Sequence, residues 1–115
     1  MKKNLKQLTE ELNFECLTGN SLLGRTVQSA YVSDLLSDVM GKAQPKMLWV
    51  TSQVHKNIVA VASLKELSAV IVVNERIVAQ EVLDNAEAEE VVILTSGMPA
   101  FETAGILYEW LKEVD

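Results

Sequence analysis

The chain has 115 residues, 49% apolar and 23% charged, with a formal net charge of −6. That balance suits one compact domain able to build a core without metal or disulfide staples. A single cysteine, Cys16, excludes an intramolecular disulfide and fits a reducing compartment. The ten basic residues form no stripe that would follow a nucleic acid. No apolar run approaches the roughly 20 residues that a membrane span needs, and polar residues follow Met1-Lys2-Lys3 where a signal peptide would be apolar. The expectation is a soluble cytoplasmic protein with neither a nucleic-acid nor a membrane partner.

Residues 4 to 12 read as a helix. Leu5, Leu8 and Leu12 share one face, and Asn4 with Gln7 matches a capping box. Phe14 to Leu17 is a short strand stopped by Thr18-Gly19-Asn20, and Ser21-Leu22-Leu23 makes one turn. The loose alternation from Gly24 to Val32 predicts a strand. Ser33 and Asp34 are N-cap types for a helix whose apolar face is Leu35, Leu36, Val39 and Met40. Gly41 and Pro45 close that helix.

A rhythm then sets in. Strand Met47–Val50 leads to a helix from about His55 to Leu67. Strand Val70–Val73 leads to a helix from about Val78 to Glu90, and strand Val91–Leu94 to a helix from about Pro99 to Lys112. Successive strand-helix units predict a parallel sheet with right-handed crossovers. The strands VIVV and VVIL are apolar on both faces, as they must be when helices cover both sides.

In such a sheet the loops at the carboxyl ends of the strands share one edge, where ligands bind. Four loops there are polar: Ser33-Asp34; Thr51-Ser52-Gln53 with His55 and Asn57; Asn74-Glu75-Arg76; and Thr95-Ser96-Gly97. Helix starts follow them, and their free N–H groups favour an anion. Ser96-Gly97 before Pro99 is the best local candidate, because glycine lets a ligand approach the backbone. The same residue types also serve caps and turns with no ligand at all.

His55, the one histidine, could be a base, a phosphate contact or a helix cap. Without further histidines or spaced thiols it has too few partners for zinc. Asp34 and Asp38, four apart, would share a helix face, as paired carboxylates for a hard cation or acid/base work, or simply as solvated surface. The chain has no G-x-S-x-G elbow, no phosphate-loop pattern G-x-x-x-x-G-K and no G-x-G-x-x-G fingerprint. The residues assign no catalytic set and no metal set, and they name no cofactor. Cys16 and Trp49 read as core, and Trp110 with Phe101, Ile106 and Leu107 as core or a dimer face. Glu81, Asp84, Glu87, Glu89 and Glu90 read as a solvated helix surface.

Four segments carry a resemblance: YVSDLLSDVM from Tyr31, WVTSQVHKNIVAVA from Trp49, LKELSAVIVV from Leu64 and FETAGILY from Phe101. Across about residues 5 to 112 the chain resembles the stand-alone DRTGG domain family. Arg25 stands at the family's arginine, while Ser29-Ala30 replaces the paired glycines of the family motif. The resemblance implies a single DRTGG-like domain over residues 1–115. It implies an α/β fold: a three-layer α/β/α sandwich around a mostly parallel sheet of four to five strands, similar to the N-terminal domain of the HPr kinase/phosphorylase. That domain lacks the kinase's phosphate loop. The family also occurs joined to phosphotransacetylase and to CBS-domain proteins, which implies a regulatory role.

The leading expectation is a non-catalytic regulatory module sensing a small anionic metabolite or nucleotide. Its candidate ligand-binding residues are Arg25, Ser33, Asp34, Thr51, Ser52, Gln53, His55, Asn57, Thr95, Ser96 and Gly97. The alternative is an interaction module that homodimerises and docks on a partner enzyme. A third reading is an enzyme using His55 with Ser33 or Asp34.

Overall fold

The computed structural model describes residues 3–113. The first helix, α1 (Leu5–Leu12), starts at the expected capping box: the Asn4 side chain accepts from the Gln7 N–H, and the Gln7 side chain accepts from the Asn4 N–H, both at 2.9 Å. Asn13 ends it in the left-handed region at φ 60°. The first strand, β1 (Glu15–Thr18), then leads through Gly19 into a short 3₁₀ turn at Asn20–Leu22.

Strand β2 covers only Ser29–Val32, shorter than the alternation from Gly24 predicts. The reason is the partner. β2 pairs with β3 (Met47–Thr51) in the register Ser29 to Met47 through Val32 to Val50, so nothing lies beside residues 24 to 27 in that ladder. Gly24 closes a turn, and residues 25 to 27 lie against the chain start instead, with a bridge between Thr26 and Asn4 and the Val27 N–H on the Lys3 carbonyl.

The remaining elements are α2 (Leu36–Lys42), α3 (Asn57–Leu64), β4 (Ala69–Val72), α4 (Gln80–Ala88), β5 (Ile93–Thr95) and α5 (Ala100–Lys112). The sheet order is β1-β5-β4-β3-β2. The last four strands in sequence run parallel, and β1 is antiparallel to β5 at the edge. This is an α/β fold, a three-layer sandwich on a mostly parallel five-stranded sheet.

The strands β2 to β5 step across the sheet in one direction. Right-handed crossovers therefore put α2, α3 and α4 on one face. Trp49, Val70, Val72 and Ile93 pack there against Val39, Ile58, Val59, Val82 and Ala86. The opposite face belongs to α1 and α5. Leu48, Val50, Ile71, Val73 and Leu94 pack there against Leu5, Leu8, Leu107 and Trp110. Strand residues alternate between the two cores, as a pleat with helices on both sides requires. Trp49 and Trp110 are thus core. Cys16 is half-buried, and burial raises its thiol pKa. Among the described residues, no helix is long and apolar enough to cross a membrane.

Candidate functional site at the carboxyl ends of the strands

The loops after β2 and β3 are tied together by Asp34. Its Oδ1 accepts from the Thr51 hydroxyl at 2.7 Å and from the Ser52 N–H at 2.8 Å. Its Oδ2 accepts from the Ser52 hydroxyl at 2.8 Å. The Gln53 side-chain amide donates to the Asp34 carbonyl, and the Trp49 indole N–H to the Ser33 carbonyl. The Ser52 N–H, followed by the Thr51 and Ser52 hydroxyls, holds the Asp34 carboxyl below its usual range, and the Arg76 charge adds to this. Partial desolvation opposes them.

Sequence reasoning gave Ser33 and Asp34 to the start of α2, and the structure corrects it. The N-cap is Leu35, with no side-chain cap. The Ser33 hydroxyl accepts the Leu35 N–H and also faces the Asp38 carboxylate, while Asp34 turns to the neighbouring loop. Leu35, expected on the apolar face, is exposed. Asp38 does not join Asp34; its Oδ2 accepts from the Tyr31 hydroxyl at 2.7 Å.

The chemical consequence is direct. The donors at the end of β3 that could welcome an anion already serve a carboxylate, and that carboxylate repels a second negative charge. Ser33, Asp34, Thr51 and Ser52 therefore form the frame of the edge. His55 is exposed, and its Nδ1 accepts the Asn57 N–H at 3.1 Å, capping the start of α3. Among the described residues it makes no hydrogen bond to Ser33 or Asp34.

The cation in the middle of this edge is Arg76, from the loop after β4, where Asn74 and Glu75 are both left-handed at φ 64° and 55°. Its Nη1 donates to the Ser52 carbonyl at 3.0 Å, which lays the side chain against the loop after β3. Among the described residues it has no ion pair. Two hollows of about 500 Å³ each meet at Arg76. One is lined by Gln53, Val54, His55, Lys56, Ala79, Glu81 and Val82. Ala79 is the N-cap of α4, and no side chain caps that helix start. The other is lined by Asn13, Glu15, Leu17, Glu75, Ile77, Val78, Leu83 and Thr95-Ser96-Gly97.

The second hollow opens between two connections that diverge. The loop after β4 leads to α4 on one face of the sheet, and the loop after β5 leads to α5 on the other. Such a divergence is where an open α/β sheet offers a crevice. Ser96 lies at its back. It is buried, its hydroxyl shared with Thr103 at 2.8 Å and accepting the Met98 N–H at 3.2 Å. Its polar atoms are thus satisfied within the protein.

Thr51, Ser52, Gln53, His55, Asn57, Thr95, Ser96 and Gly97 all stand at this edge, with Ser33 and Asp34. Arg25 does not. It lies at the amino ends of the strands, its Nη2 donating to the Glu90 carbonyl at 2.7 Å, in a hollow of about 480 Å³ with Thr26, Lys46, Glu66 and Ser68. A motif match locates a residue in the sequence but not on one edge of a sheet. The candidate set also omitted Arg76, Lys56 and Ile77. A usable signal was present, because Lys56 and Arg76 are the Lys and Arg of the four edge loops. Among the described residues no group of three or more His, Cys, Asp or Glu side chains could hold a metal ion.

Comparison with protein-family models finds no match, and neither does comparison with curated proteins. Among solved structures the fold is similar to that of the CBS and DRTGG domains of the regulatory region of Clostridium perfringens pyrophosphatase, a structure complexed with the activator diadenosine tetraphosphate. The TM-score is 0.69 at 15% identity, over 91% of this chain. This chain spans 45% of that one. The architecture is DRTGG-like, a statement about fold.

Proposed function

We propose that the chain is a single DRTGG-like domain, a relative of the N-terminal domain of the HPr kinase/phosphorylase. In this reading it is a non-catalytic regulatory module of the cytoplasm that senses a small anionic metabolite or nucleotide at the carboxyl edge of the sheet. The observation that carries the reading is Arg76. Its guanidinium is anchored through one N–H on the Ser52 carbonyl and has no ion pair among the described residues. It lines a hollow shared with Lys56, His55 and an uncapped helix start. Asp34 holds the frame and turns an anion away from the loop after β2. The regulatory character is supported by the Clostridium perfringens structure, which holds the CBS and DRTGG domains of a regulatory region in complex with a nucleotide activator, and of which this chain spans 45%.

Thermal unfolding with nucleotides, acyl phosphates and inorganic phosphates tests this. A ligand at 100 times its dissociation constant adds about 2.7 kcal/mol, and Arg76→Gln removes that gain. Absence of any stabilisation at millimolar ligand contradicts the reading.

A second reading is favoured by one observation. Phe101 and Tyr108 are 85% and 67% exposed, and they share a face of α5 with Gly105 between them. Large apolar groups left in water this way mark contact surfaces. In this reading the domain homodimerises or docks on a partner enzyme through α5. Light scattering then finds a dimer that Phe101→Lys converts to a monomer. A wild-type monomer at all concentrations removes the homodimer.

A further inference from the structure

We infer that the two hollows meeting at Arg76 form one divided site for a nucleotide, with phosphate held beside Lys56 and the base laid against Ile77. This rests on reading the carboxyl edge as an anion site and goes on to name the class of ligand. The division follows from charge. The hollow beside the loop after β3 has Lys56 against a single carboxylate among its lining residues, Glu81. With Arg76 added, its balance favours a phosphate. The hollow across Arg76 has two carboxylates, Glu15 and Glu75, and no other cation. It excludes a second anion but offers acceptors to a neutral group bearing N–H donors. Its walls include Leu17, Ile77 and Leu83, which suit a flat, mostly apolar ring.

Ile77 adds an independent observation. It is 87% exposed, a β-branched apolar side chain held in water directly after Arg76. The hollow also opens where the connections to α4 and α5 diverge to opposite faces, the place in an open α/β sheet where ligands sit. Each compartment, at about 500 Å³, lies within the size range of small-molecule sites. Arg76 reaches both, so a molecule with an anionic end and a neutral ring engages it at the junction. Glu15 and Asn13 bring the antiparallel edge of the sheet into the same site, which couples ligand occupancy to β1 and the end of α1.

Calorimetric titration of the full chain with ADP, GDP and pyrophosphate tests this. In the wild type the tighter of the two nucleotides binds at least tenfold more tightly than pyrophosphate. Ile77→Ser, a change at an exposed position, removes that advantage and leaves pyrophosphate affinity unchanged. Arg76→Gln weakens nucleotide and pyrophosphate alike by at least tenfold. Equal binding of nucleotides and pyrophosphate, or a nucleotide advantage that survives in Ile77→Ser, overturns the divided site while the anion site stands. No binding by any probe, or unchanged binding in Arg76→Gln, overturns both.

Discussion

Three donors converge on the Asp34 carboxylate, and this is the residue where the chemistry of the edge is decided. The carboxylate locks the loop after β3 to the loop after β2, and its charge disfavours an anion there. Asp34 is exposed, so solvent screens these bonds; Asp34→Asn is expected to cost about 1 kcal/mol, read by urea unfolding at neutral pH. The sign of the pH dependence follows from the lowered pKa. The unfolded group titrates near its ordinary 3.8, and the folded group lower. The stabilisation is fully present above pH 3.8 and is lost as pH falls through the folded value. The wild type shows this acid-dependent loss, and Asp34→Asn does not. This role was illegible in the sequence for a physical reason. Aspartate next to a helix start accepts backbone N–H groups whether they belong to its own helix or to a loop 18 residues away, and the letters are the same. The exposed Arg76 was legible only as a member of a polar loop, because a long side chain's target is set by the neighbouring loop's carbonyls.

At the scale of elements, local signals served where the partner is local. The Asn4–Gln7 box starts α1, the doubly apolar VIVV from Val70 overlaps the buried β4 (Ala69–Val72), and Pro99 sits at the start of α5. They served less well where the partner is distant. The alternation from Gly24 overran β2 because strand length depends on β3, whose first ladder residue is Met47. Gly19 joins the two kinds of signal. It is needed for the turn at φ 77°, and a Cβ there would meet Val92 Cγ2 at 2.7 Å, across the sheet. Gly19→Ala therefore combines backbone strain with a clash and is expected to destabilise by more than about 1 kcal/mol, measured as a lowered denaturation midpoint. The neighbouring Gly19 N–H donates to Glu87, tying the same turn to α4.

At the scale of the whole molecule, a one-directional walk from β2 to β5 stacks three helices on one face and leaves α5 to cross to the other. That single change of side opens the crevice between β4 and β5 beside Arg76. The βα rhythm showed that the sheet is mostly parallel and covered, but the antiparallel β1 and the order β1-β5-β4-β3-β2 depend on long-range pairing that no local pattern encodes. The family motif likewise put Arg25 among the edge residues, whereas the fold sends it to the amino ends of the strands. The molecule therefore has two hollow-bearing edges, and the proposed sensing belongs to the carboxyl one. Backbone amide shifts of the full chain titrated with nucleotide decide between them. Sensing at the carboxyl edge predicts shifts centred on residues 53–56, 75–82 and 95–97, abolished by Arg76→Gln. Shifts centred on Arg25, Lys46, Glu66 and Glu90, or no shifts at millimolar ligand, contradict it.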